Sequence, residues 1–280
     1  MIDLHCHSTV SDGTDSPTAL VDLARAAGLH ALAITDHDTL DHVDESVRAG
    51  AAVGVRVVPA CELSCTTPPG VGTMHLLVYF PAAQGALEDA LFALRGGRDE
   101  RNMQIVERLR ETGVDITMAD VLRETGDGTV GRPHIAAALV HKGYVDSIDE
   151  AFDTWLARGR PAYLERTRLS PGDAIRLAHD AGAVTSLAHP GSLDLDDDAL
   201  DGFVGALVDD GLDALECEYA RYTREERDEY RALAGRHGLL PTGGSDYHGA
   251  YKPDLRLGVG RGDLDVPDEW LDALEARRPR

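Results

Sequence analysis

Twice along this chain, short β-rich runs alternate with helical patterns, and that rhythm limits the fold more than any other feature. Residues 2–6, 31–35, 55–65 and 74–80 read as strands, with helices after the Asp15-Ser16-Pro17 start signal and over residues 40–52. From Pro171 the alternation resumes: helix to Ala181, strand 184–187, helix 197–210, strand 214–218, helix 224–237 and strand 239–242. Strands joined through helices run parallel, so the expected fold is α/β, closed into a barrel. Between these halves the rhythm is lost. Residues 100–111, 118–124, 133–142 and 149–156 look helical with no strand among them. The expected organisation is therefore a barrel from residues 1–96 and 168–280, carrying a small helical insertion, or cap, at 97–167.

A chain of 280 residues can bury a core of that size without disulfides. Its four cysteines, Cys6, Cys61, Cys65 and Cys217, are unevenly spaced, and no leader-like segment precedes Ile2, so a reduced, cytoplasmic protein is expected. No apolar run reaches membrane-spanning length. With 27 basic against 49 acidic residues the formal charge is -22, which excludes a broad face for duplex nucleic acid but not a local basic pocket.

Histidines and carboxylates gather at the strand ends, where parallel α/β folds place their chemistry. They are His5 and His7, one residue apart and so facing one side of a strand; Asp12 in the next loop; Asp36 and His37; Glu62; His75; His189; then Asp246 and His248. Any one of these could be a hydrogen-bonded core residue, and Asp36 could simply cap a helix. Together they are a metal site, because clustered unpaired polar groups cost too much without a partner. Imidazole and carboxylate without a thiolate set suit Zn, Mn or Fe. The donors exceed what one tetrahedral ion needs, so a polynuclear site is expected, with Glu62 placed to bridge.

His5-x-His7, Thr35-Asp36-His37, Ala188-His189-Pro190 and Ser245-Asp246-Tyr247-His248 resemble, in order, the four signature motifs of the PHP family, named for polymerase and histidinol phosphatase. The resemblance implies a distorted (β/α)7 barrel with two to three divalent ions (Mn, Fe or Zn). By motif, His5, His7, Glu62 and Asp246 would hold one ion, Glu62, His75 and His189 a second, and Asp12, His37 and His248 a third. Some relatives have histidine where this chain has Asp12; a carboxylate there favours Mn or Fe over Zn.

In the insertion, Gly131-Arg132-Pro133-His134 opens a helix, and Gly159-Arg160-Pro161 lies near the exit. Arginine at a helix start, beside free N–H groups, is suited to an anion. These segments resemble the PHP branch that hydrolyses 3′,5′-nucleoside bisphosphates, some members of which trim RNA from the 5′ end. That resemblance makes Arg132, His134 and Arg160 candidates for gripping substrate phosphate. It also implies phosphoester hydrolysis by metal-activated water, the nine donors acting through the metals, in a monomer acting on a small nucleotide or short oligonucleotide. Tyr219-Ala-Arg-Tyr-Thr223 departs from the histidine-containing segment expected there. Two rival readings are a small-metabolite phosphatase of histidinol-phosphatase type and a non-catalytic PHP module; missing donors would mark the latter, and none is missing.

Overall fold

The computed structural model describes residues 1–82, 85–125, 130–165 and 167–279. β1 (Ile2–Cys6), β2 (Ala31–Ile34) and β3 (Arg56–Val58) form a parallel sheet in that order. β4 (Ala60–Cys65), β5 (Met74–Tyr79), β6 (Val184–Leu187), β7 (Ala214–Tyr219) and β8 (Leu240–Gly244) form a second sheet, also in chain order. Single parallel bridges join the two: His37 to Glu62, and Cys6 to Tyr247 beyond β8. Gly244 permits that approach, since a Cβ there would lie 2.4 Å from the His5 Cβ. The expected barrel thus takes the form of two sheets whose edges meet at isolated bridges.

Two details of the strands differ from the sequence reading. Residues 55–65 are not one strand. The run breaks at Pro59, which has no N–H to give to a ladder, and β3 and β4 fall in different sheets. Nor are the strands all parallel: β5 pairs antiparallel with both β4 and β6. No helix separates β4 from β5, so the short link returns the chain beside itself.

The helices are α1 (Pro17–Ala26), α2 (Val43–Val53), α3 (Ala86–Glu111), α4 (Met118–Thr125), α5 (Arg132–His141), α6 (Ile148–Ala151, running into a π turn over Phe152–Leu156), α7 (Pro171–Asp180), α8 (Asp197–Asp209), α9 (Arg224–His237) and α10 (Asp268–Arg277). α10 has no counterpart in the sequence reading. The starts are written locally: Ser16 and Ser170 cap α1 and α7 ahead of a proline, Asp196 caps α8, and Thr223 with Glu226 makes a reciprocal capping box on α9. None of the described helices is long and apolar enough to cross a membrane.

Packing divides along the chain. Leu63, Leu76, Ile175, Val204 and Leu215 belong to one core between the second sheet and α7 to α9. Ile2, Leu4, Leu77, Tyr79 and Val266 belong to another, joined by Leu271 and Leu274 of α10. Ile105, Leu109, Val121, Ile135, Leu139 and Leu156 form a separate core among residues 105–162. α3 serves two of these: Leu87 and Leu91 pack with the sheet's core, and Ile105, Val106 and Leu109 with the insertion's. α3 therefore begins at Ala86, well before the helical pattern read over residues 100–111 and the residue 97 boundary expected for an insertion.

Candidate metal centre

β1 ends in alternation that turns His5 and His7 to one side and buries Cys6 on the other. The loop after it doubles back sharply: a Cβ on Gly13 would lie 2.1 Å from the His7 carbonyl oxygen. Asp36 holds that loop and is no ligand candidate in space. Its carboxylate accepts from the Ser8 N–H at 2.8 Å, the Ser8 hydroxyl at 2.5 Å and the Ser11 hydroxyl at 2.6 Å. Asp12 is thereby carried into the centre. His75 stands at the start of its strand, and reaches the same rim as the others because β5 runs the opposite way.

All nine expected donors meet. Glu62 is central: Oε1 lies 2.9 Å from His75 Nδ1, 3.0 Å from His189 Nε2 and 3.6 Å from His5 Nε2, while Oε2 lies 3.0 Å from His37 Nδ1 and 3.2 Å from His7 Nε2. Asp12 lies 3.4 Å from His248 Nε2 and 3.6 Å from both His7 Nδ1 and His37 Nε2. Asp246 Oδ1 faces His5 Nε2 at 3.5 Å and His7 Nε2 at 3.4 Å. Four overlapping groups have donor atoms close enough to share an ion: His7, Asp12, His37 and His248; His5, Glu62 and His189; His5, His7 and Asp246; His37, Glu62 and His75. The expected third set is reproduced with His7 added; the other two are divided differently, with His5 beside His189 and His37 beside His75.

The donor set fits divalent metal. His5 Nε2, His7 Nε2 and His37 Nδ1 are buried beside carboxylates, yet none makes an aligned hydrogen bond. Lone pairs held that way are costly unless a cation takes them. Elsewhere Glu216 of β7 takes His5 Nδ1 at 2.8 Å, which sets that ring's tautomer, and accepts the His189 backbone N–H at 2.6 Å. The cysteines stay out of the centre; all four are buried free thiols.

Charge in the centre is arranged in pairs. Burial would raise the Asp12, Glu62 and Asp246 carboxyls, but neighbouring imidazoles and, for Asp246, Lys252 outweigh it and hold all three well below the usual range. Burial would lower His7, but Asp246 and Glu62 lift it to about 9. His37 goes the other way, to about 3, because burial with His7 and His75 beside it overcomes the nearby carboxylates.

A cavity of about 130 Å³ opens on this centre, lined by Asp12, His37 and His75 together with Arg98, Arg101, Arg132 and Arg168. In a chain of charge -22, four guanidinium groups gather around one small cleft, and one of them, Arg98, donates to the buried Asp38 carboxylate. Arg132 is held over the Phe152 and Tyr163 rings at 5.6 and 5.8 Å and donates to the Leu156 carbonyl at 3.1 Å. His134 is buried, and its Nδ1 accepts the Gly131 N–H at 2.9 Å, which leaves Nε2 as the protonated nitrogen. Arg160 is exposed and is not part of this lining. Arg98, Arg101, Arg168, Glu216 and Lys252 went unnoticed in the sequence. Glu216 alone left a trace, an acid inside the strand Ala-Leu-Glu-Cys-Glu-Tyr, where burial demands a partner.

The fold and the site define a cluster of side chains able to bind metal at one rim of a mixed α/β protein. The chain belongs to the PHP domain family, whose model matches residues 3–157. It is 32% identical over 88% of its length to a 5'-3' exoribonuclease of Haemophilus influenzae, covering 89% of that protein. It is 30% identical over 88% to a 3',5'-nucleoside bisphosphate phosphatase of Chromobacterium violaceum, covering 87% of it. A phosphoribosyl 1,2-cyclic phosphate 1,2-diphosphodiesterase of Eggerthella lenta is 31% identical over 89%, with 94% of that protein covered. Among solved structures, one described as a metal-dependent phosphoesterase from Bifidobacterium adolescentis superposes over 100% of this chain and 96% of its own, with TM-score 0.88 and 33% identity. A C. violaceum amidohydrolase with bound sulfate and no metal matches 100% and 97%, with TM-score 0.88 and 29% identity.

Proposed function

We propose that this protein is a metal-dependent phosphoesterase of nucleotides, hydrolysing 3′,5′-nucleoside bisphosphates and short RNA from the 5′ end. The observation that carries the reading is the shared cleft: metal-ligating side chains and four arginines line one cavity of about 130 Å³. A substrate spanning it presents one phosphate to each side. The names of the relatives support the same chemistry.

His5, His7, Asp12, His37, Glu62, His75, His189, Asp246 and His248 would hold two to three divalent ions, Mn, Fe or Zn. Such ions supply Lewis-acid stabilisation of phosphoryl oxygens and a water of lowered pKa. The chain's own residues do the rest. Arg132, stiffened by two aromatic rings, offers a planar pair of donors to a phosphate. The neutral His134 offers Nε2–H. Arg101 and Arg168 add to the anion pocket beside Arg98, which is tied to Asp38, and fixing the phosphorus in this way contributes on the order of 7–11 kcal/mol in favourable cases. The insertion, residues 97–167 in this reading, acts as the cap that brings Arg132 and His134 over the rim.

The test is a metal-reconstituted assay of adenosine 3′,5′-bisphosphate, a simple monophosphate, a sugar 1,2-cyclic phosphate and a 5′-phosphorylated short RNA, with His37→Ala and Arg132→Ala alongside. The reading expects preference for the bisphosphate, loss in His37→Ala, and a raised KM in Arg132→Ala. Faster turnover of the monophosphate would favour the small-metabolite phosphatase, and no turnover of any substrate would end the hydrolase reading.

A further inference from the structure

Asp246 is bound on both sides, and by opposite kinds of group. Its Oδ1 faces His5 and His7 in the centre. Its Oδ2 takes the Lys252 ammonium at 2.5 Å and the Tyr219 hydroxyl at 2.8 Å. The backbone fixes this division: the Asp246 N–H donates to the His5 carbonyl at 2.7 Å, and φ is +50°, a left-handed conformation that a non-glycine residue keeps only when its surroundings impose it. Lys252 is one of only two lysines in the chain. The other, Lys142, pairs with Asp115 and Asp120 on the insertion.

An ammonium that donates to one oxygen of a carboxylate draws charge from both, and its own charge opposes any cation on the far oxygen. A lysine aimed at a ligand from behind therefore acts on the metal without touching it. We propose that Lys252 is a positioning residue that weakens the hold of His5, His7 and Asp246 on their ion. With Tyr219 it leaves Asp246 a single free oxygen, and its charge makes that oxygen a poorer donor. An ion so held keeps more of its own charge for a phosphoryl oxygen and exchanges more readily than one among Asp12, His37 and His248. This inference rests on the metal-centre reading above and adds an order of affinities to it.

The sign of the effect separates it from a structural role. If Lys252 were only a strap holding its loop against Asp246, removing it would loosen the centre and weaken metal binding. The experiment is titration of Mn2+ alone into metal-stripped, full-length protein by calorimetry with a competing chelator, for wild type, Lys252→Met and Lys252→Arg, with thermal melts showing that each folds. Lys252→Met is expected to keep the number of ions and to tighten the weakest step about tenfold, within the range over which outer partners tune metal sites. Lys252→Arg, which keeps the charge, is expected to return close to wild type. Weaker or unchanged binding in Lys252→Met overturns the proposal while leaving the metal centre intact. A wild type that takes up no ion overturns the metal reading, and the proposal with it.

Discussion

Glu62 is the residue on which the centre turns, since five imidazoles lie within 3.6 Å of its two oxygens. Glu62→Gln keeps the shape and replaces one acceptor by an amide. Altering an outer partner of a metal costs about 10–100-fold in affinity or activity, so loss of this direct donor is expected to exceed that range. Metal content per chain and phosphate release are the two measurements that check it. Asp36 has a different role, and pH reveals it. Burial would raise its carboxyl, but His42, His7 and Ser11 hold it at about 2 against an ordinary 3.8. A folded pKa below the unfolded one stabilises above the unfolded value and is lost as pH falls through the folded one. Metal-free wild type is therefore expected to exceed Asp36→Asn by about 2 kcal/mol in urea unfolding at pH 7, the gap closing between about pH 4 and 2. A gap that stays constant over that range would contradict this account.

At the scale of elements, α3 joins the sheet's core to the helical core among residues 105–162 and carries Gly96-Gly97 in its middle. A Cβ on Gly96 would meet nothing within 4 Å, and on Gly97 only the Thr167 Cβ at 3.9 Å. Packing does not require glycine at either position. Alanine at each should add about 0.5–1 kcal/mol by restoring helix propensity, measurable by urea unfolding, whereas a loss would show that the helix must bend there. α3 also shows where the sequence was legible. The helices with capping signals, such as α7 behind Ser170-Pro171 and α9 behind Thr223, could be read because their boundaries are written in neighbouring residues. α3 begins at Ala86 behind Gly85, which offers no side-chain cap, and its charged, mixed faces give no period to follow. β5's direction was hidden for a related reason, since orientation depends on the link between strands rather than on the strand. The donors were legible because imidazoles and carboxylates gathered at buried strand ends cost too much to stand there without a cation. Arg98, Arg101 and Arg168 were not, because an arginine on a helix or in a loop is ordinarily solvated.

The whole molecule sets a strongly acidic surface around a small basic cleft. Electrostatics of this kind suits short polyanions that reach the cleft better than long duplexes. The cations of the centre should also hold the fold together, since the loop after β1, the start of β5 and the segments after β2, β6 and β8 all deliver donors to it. A ligand at 100 times its Kd stabilises by about 2.7 kcal/mol, so removing metal with a chelator is expected to lower the melting temperature, and Mn2+ to restore it. An unchanged melt would mean that these segments are fixed without cations.

The most direct measurement is phosphate release from adenosine 3′,5′-bisphosphate by metal-stripped protein before and after Mn2+ is returned. The account predicts release only with the metal, lost in Glu62→Gln and weakened through KM in Arg132→Ala. Release that persists in the stripped protein, or none after reloading with Mn2+, Fe2+ and Zn2+ in turn, would contradict it.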